Sequence, residues 1–294
     1  MFKMFTMTGF PGGGAPENNA PARFLTFGKS FCHSSAAKIN IFRHFLMCVP
    51  EKYNRVTSVR CAFTLAEVLI TLGIIGIVAA MTLPALIQSN ANRVVETRLA
   101  KFYSSINQAV MMAEVTYGDK KEWYQDKQKI VYDEEGNLVK GASEVEIWWN
   151  RYIAPNMRTV QVKYDKDGKP IFFFADGSGL MALQTDYMRD WIFFTGDPDR
   201  CVKKYGSLSN AYGKCAFVFL YYPLSTTNTD FIYHKGRGFE PYKFAWDGKS
   251  ESLYSGVDKY SYTGCNIKAS YYCAALIQSN GLKIPKDYPF RVSY

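Results

Sequence analysis

With 294 residues, 48% apolar and 16% aromatic, the chain has room for one or two packed domains and is too apolar to be disordered. Its formal charge of +9 invites a nucleic-acid reading, but the excess is local: residues 1–62 carry eight Lys/Arg against two acids, and the remainder carries 27 against 24. A near-neutral body disfavours strong nucleic-acid binding, because that affinity rests on neutralising phosphates.

Residues 1–62 read as a leader. Pro11-Gly12-Gly13-Gly14 and the stretch from Pro16 to Pro21 are coil-forming. Lys52, Arg55 and Arg60 make the approach to residue 63 basic. Met47 marks an alternative start that leaves a short leader. Segments of this kind are set aside from fold reasoning.

Phe63 to Ile87 is apolar from end to end, with one ionisable side chain, Glu67. About 20 apolar residues suffice to cross a bilayer as a helix. The basic excess before the run predicts a cytoplasmic leader and a body on the far side. A signal-peptide core is shorter and ends at a small-residue cleavage site; here Ala79-Ala80 is followed by more apolar residues. A plain anchor has no need of Glu67, since a carboxylate at the bilayer centre costs roughly 2.5–3.5 kcal/mol.

Cys61-Ala62-Phe63-Thr64-Leu65-Ala66-Glu67 resembles the processing site of type IV prepilins and type II secretion pseudopilins. The resemblance covers 63–87 and implies cleavage between Ala62 and Phe63, followed by methylation of Phe63. Glu67 falls on the family's Glu, and Pro84 on its helix-kinking Pro. Ala62 stands where the family usually has Gly. The implied partners are a prepilin peptidase/methylase, other pilin or pseudopilin subunits, and the bacterial inner membrane. Phe63, Glu67 and Pro84 are the implied assembly residues. The Phe63 amine, charged once freed, pairs in this reading with Glu67 of a neighbouring subunit, and loss of one partner of a buried pair typically costs about 3–5 kcal/mol. The implied fold class is α+β: a long transmembrane/amphipathic helix packed on an antiparallel β-sheet head, the pilin-like lollipop.

The helical pattern continues from 88 to 118. Val95, Leu99, Phe102, Tyr103, Ile106, Val110 and Ala113 share one face at steps of three and four, with Arg93, Glu96, Arg98, Lys101 and Gln108 mostly elsewhere. Gly118 is a C-cap candidate.

Residues 119–294 read as a globular head, periplasmic or displayed on an extracellular filament. A hairpin is expected around Glu134-Glu135-Gly136-Asn137, and Ser143 with Glu146 makes a capping box opening a short helix through Trp148 and Trp149. Strands are expected over 159–164, 170–174, 180–185, 191–195, 216–222, 231–234 and 243–246, with a loop over 196–214 and a short helix over 274–281. Asp165-Lys166-Asp167-Gly168 is a tight hairpin signal.

Four cysteines follow the proposed cut. An even number in an exported body suggests two disulfides, with three connectivities open and free thiols as the alternative. Cys201–Cys215 and Cys265–Cys273 are favoured, because each closes a short local loop.

His234 is the only histidine after the proposed cut, and no nucleophile elbow, zinc, Walker A or dinucleotide motif is present. No enzymatic activity and no cofactor are expected. Calcium is the one open metal question, with Asp165, Asp167, Asp197 and Asp199 in turns, although such residues usually cap their own backbone. Two classes therefore remain beside a plain anchored protein: a structural filament or pseudopilus subunit, and a minor pilin whose head binds DNA or a surface.

Overall fold

The computed structural model describes residues 64–125, 127–184, 188–224 and 229–294. The leader, Ala62 and Phe63 lie outside the described residues. Helix α1 runs Leu65–Tyr117, 53 residues, a length of about 80 Å at 1.5 Å per residue. It stops where expected: Gly118 has φ +82°, which a residue with a Cβ resists, and its N–H reaches the Glu114 carbonyl at 3.0 Å.

Six strands follow: β1 Gln161–Tyr164, β2 Pro170–Phe173, β3 Gly179–Ala182, β4 Asp190–Phe194, β5 Ala216–Tyr221 and β6 Phe239–Pro241. They form one antiparallel sheet in sequence order. With helix α1 this makes the fold α+β. The register puts Phe172, Leu180, Phe193 and Phe217 in one row across four strands, and Ile171, Met181, Ile192 and Val218 in the adjacent row on the other face.

Both faces are covered, which is why β5 is buried along its whole length instead of alternating. One face receives the second half of α1 and the Trp148–Trp149 turn. Val95, Leu99, Phe102, Ile106, Val110 and Ala113 are buried there as the spacing predicts, together with Ala91 and Ala109. Phe102 stacks on Phe193 at 4.2 Å and meets Phe219 edge-on at 5.0 Å. Burying a Phe side chain contributes roughly 1.5–3 kcal/mol, so α1 is held to the sheet by the hydrophobic effect along this stripe. The other face is covered by the short helices α3 Pro198–Tyr205, α4 Leu208–Ala211 and α5 Ser250–Ser255 and by both disulfides. Helix α6, Cys273–Ser279, contributes to both sides: Ala274 and Ile277 to one, Ala275 and Leu276 to the other.

Helix α2, Glu144–Trp148, opens on Ser143 as expected and continues as a π-helical turn, Trp149–Ile153. The Glu146 carboxylate does not close the capping box on the Ser143 backbone. It accepts from the Ser143 hydroxyl at 2.6 Å, the Gly141 N–H at 3.1 Å and the Tyr164 hydroxyl at 2.6 Å.

Three expectations are corrected. The segment 231–234 is not a strand: Thr229–Phe231 is a 3₁₀ turn, and the His234 N–H closes a turn on the Phe231 carbonyl. The segment 243–246 is not a strand either; β6 lies earlier, at Phe239–Pro241. Pro241 is tolerated because β6 is an edge strand with no further ladder to feed. The span 196–214 is not a plain loop but holds helices α3 and α4: Asp197 caps α3, accepting the Arg200 N–H at 2.9 Å, Pro198 stands at its first helical position, and Gly206 ends it at φ +79°. The expected hairpin around 134–137 forms and is short: Tyr132 bridges Leu138, the Asp133 N–H reaches the Asn137 carbonyl and the Val139 N–H the Val131 carbonyl, each at 2.9 Å. Residue 185, at the end of the expected third strand, lies outside the described residues.

Candidate functional site

The first half of α1 presents an apolar surface. Leu65, Leu69, Leu72, Ile75 and Leu86 are all exposed by half or more, and no part of the most apolar 18-residue window is buried. Among the described residues, α1 is the one helix long and apolar enough to cross a membrane. Its hydroxyls are satisfied within the helix: Thr71 donates to the Val68 carbonyl and Thr82 to that of Val78, each at 3.0 Å. Glu67 is the acidic residue of the first turn, where a carboxylate complements the helix dipole. Pro84 sits inside the continuous helix. Phe63, the other expected assembly residue, and Ala62 lie outside the described residues.

Where the apolar surface ends, the segment 283–294 ties α1 to the sheet. The Gln88 amide donates to the Val292 carbonyl at 3.3 Å, and Asn90 donates to the Tyr294 hydroxyl at 3.4 Å. About two turns on, Glu96 accepts from the Lys283 amine at 3.0 Å and the Ile284 N–H at 2.9 Å. Arg98 donates to the carbonyl oxygens of Thr195 and Asp176, and its guanidinium lies over the Tyr294 ring. Gly196 permits this approach: a Cβ there would stand 2.5 Å from the Tyr294 carbonyl carbon. The polar flank of α1 is thus a second attachment: Gln88 and Arg98 donate to backbone carbonyls, Asn90 donates to a tyrosine hydroxyl, and Glu96 accepts from an amine and a backbone N–H.

Residues 85–292 match DUF6613, a family of unknown function. The chain belongs to the DUF6613 family. No curated protein and no solved structure matches it. The DUF6613 match begins one residue after Pro84, so it takes in the collar at Gln88–Arg98, the sheet and all four body cysteines, while Glu67 lies before it.

The cysteines of the DUF6613 region pair as favoured. Cys201–Cys215, 14 residues apart, joins α3 to the residue before β5, and Cys265–Cys273, eight apart, joins a loop to α6. Two of the four aspartates considered for calcium serve their own backbone. Asp165 accepts the N–H groups of Asp167 and Lys169 at 2.9 and 2.8 Å and faces the Lys169 amine at 3.3 Å, and Asp197 caps α3. Among the described residues no three His, Cys, Asp or Glu side chains gather as a metal site would need.

His234 is fully buried beside β6, and its Nε2 accepts the Lys243 backbone N–H at 3.1 Å. Burial, with the nearby Lys243 and Arg237 charges, brings its pKa down to about 3. It is a neutral structural acceptor at physiological pH. The Lys243 amine donates to Gln278 and to the Tyr233 hydroxyl, each at 2.8 Å, while Gln278 and Tyr103 donate to the Glu240 carboxylate at 3.2 and 3.0 Å. Burial pulls Lys243 down to about 8, against the pull of Glu240. The network joins α1, β6 and α6. Ser178 lies in the turn between β2 and β3, where it donates to Asp176. Burial raises the Asp176 pKa, but the hydrogen bonds from Ser178 and Lys101 outweigh it and hold the carboxyl below the usual range.

Sequence reasoning missed the collar. Arg98 and Glu96 were visible only as charges beside an apolar stripe, and their partners lie about 80 to 190 residues away. No spacing rule reaches that far.

Proposed function

We propose that this DUF6613 protein is a structural subunit of a type IV pilus-like filament or a type II secretion pseudopilus. A prepilin peptidase cuts it before Phe63, the new amine is methylated, and residues 63–87 hold it in the bacterial inner membrane until subunits assemble through the same surface. The observation that supports this most is one continuous helix with two unlike halves. Among the described residues its apolar half finds no cover, and its second half is buried on the sheet. The heptapeptide Cys61–Glu67 runs into the start of the uncovered half.

In this reading Glu67 is the register residue. An acid in an apolar bundle is tolerated where an amine meets it, so it penalises wrong stagger between subunits. The head carries no chemistry of its own and selects the machine that uses it. A plain single-pass anchor accounts for the apolar half but leaves Glu67 and the sequence before it without a role.

N-terminal mass spectrometry of protein recovered from membranes tests the proposal. Methylated Phe63 at the start of the chain is expected. A chain that still begins upstream of Ala62 rejects it. Co-sedimentation with sheared filaments then separates an assembled subunit from an anchored one.

A further inference from the structure

We propose that the cleft at the collar is a site for one anionic phospholipid. The cleft measures about 720 Å³ and is lined by Leu86, Ile87, Asn90, Lys204 and Tyr294 among others, a volume in the range that holds small ligands. This rests on the proposed crossing of the bilayer by residues 65–87.

Depth decides the occupant. From Leu65 to Leu86 the helix rises about 31 Å at 1.5 Å per residue, close to the roughly 30 Å of a hydrocarbon core. Leu86 and Ile87, both 66% exposed, therefore stand where acyl chains give way to headgroups. Above them the lining turns polar: the Asn90 amide, the Tyr294 hydroxyl and the Lys204 amine. Lys204 belongs to the last turn of α3. It lies 5.5 Å from the Tyr205 ring and, among the described residues, makes no salt bridge. An apolar floor continuous with the span, under a rim that carries a cation, matches the first carbons of an acyl chain below a phosphate. Soluble phosphates match only the rim.

The test uses the full chain in mixed micelles holding equal phosphatidylglycerol and phosphatidylcholine, with retained lipid read by native mass spectrometry. One phosphatidylglycerol per chain is expected, favoured about fivefold, as one cation near an anionic surface gives. Lys204→Glu should abolish the preference. Lys203→Glu, on the same turn and outside the cleft lining, should keep it. Equal retention of the two lipids by the native chain, or a preference that survives Lys204→Glu, overturns the proposal. So does one-for-one competition by millimolar glycerol phosphate. Alkaline extraction from vesicles is run in parallel: a chain that stays inserted but shows no lipid preference sinks the cleft alone, and a chain that is released sinks the membrane reading with it.

Discussion

The guanidinium carbon of Arg98 stands 5.2 Å from the centre of the Tyr294 ring. Through this contact and its bonds to two backbone carbonyls, a single side chain of α1 joins the turn after β2, the end of β4 and the 283–294 segment. The helix is thereby fixed to its body about three turns beyond the end of its apolar surface.

Arg98→Ala should destabilise the body by about 2–3 kcal/mol, because two carbonyls lose a charged donor and an aromatic face loses its cation. Arg98→Lys should recover only part of this, since an ammonium lacks the fork that reaches both carbonyls. Denaturant midpoints of the detergent-solubilised chain measure both. Gly196→Ala should loosen the same collar by pushing Tyr294 away. A midpoint for Arg98→Ala within 0.5 kcal/mol of native would remove the collar from the account of stability.

Glu67→Gln should leave leader removal and the disulfide-bonded body intact and lower the filament-associated fraction at least tenfold. The basis is the cost of breaking one buried charge pair, about 3–5 kcal/mol. Normal assembly of the variant would refute the register role.

Replacing Cys201 and Cys215 together by Ser should cost about 3 kcal/mol, the loop-closure value for a separation near 15 residues. The Cys265–Cys273 pair, eight residues apart, should cost less. Thermal melts of the two double variants under non-reducing conditions rank them.

His234 gives an acid-sensitive term with a definite sign. It is neutral when folded down to about pH 3, whereas unfolded it takes a proton below its ordinary 6.5. The unfolded state thus binds more protons between those values, so stability rises with pH across the window and is lost as pH falls through it. The slope contributed is at most roughly 1.4 kcal/mol per pH unit. His234→Gln should flatten the stability profile between pH 3 and 6.5. An unchanged slope would assign the acid sensitivity to other groups.

Local rules carried the parts of the fold whose causes are local. The buried stripe from Val95 to Ala113 follows from the period of a helix, and Gly118 ends it because only a residue without a Cβ adopts its φ cheaply. The turn at Gly168, with φ +78°, follows for the same reason. Both disulfides pair their nearest partners. The α3 signals, Asp197-Pro198 and Gly206, were also in plain view; bounding cysteines drew the segment into a loop reading instead. Strand β6 was misplaced because Phe239-Glu240-Pro241 is short and ends in proline, while Lys243–Trp246 offered more aromatic residues. What made β6 a strand was the free edge of β5, at Phe219, Leu220 and Tyr221.

The sequence by itself determined an apolar helix with one acid near its start, an amphipathic continuation, and a body of short strand and turn patterns holding four cysteines. Each of these is written in runs and spacings, which act over a few residues at a time. Only the tertiary structure decided that Glu96 and Arg98 are clasps, that His234 is a buried neutral acceptor, and that Leu86, Lys204 and Tyr294 line one cleft. These arrangements depend on which backbone groups are left without partners once the sheet has formed, and no stretch of sequence holds that information alone.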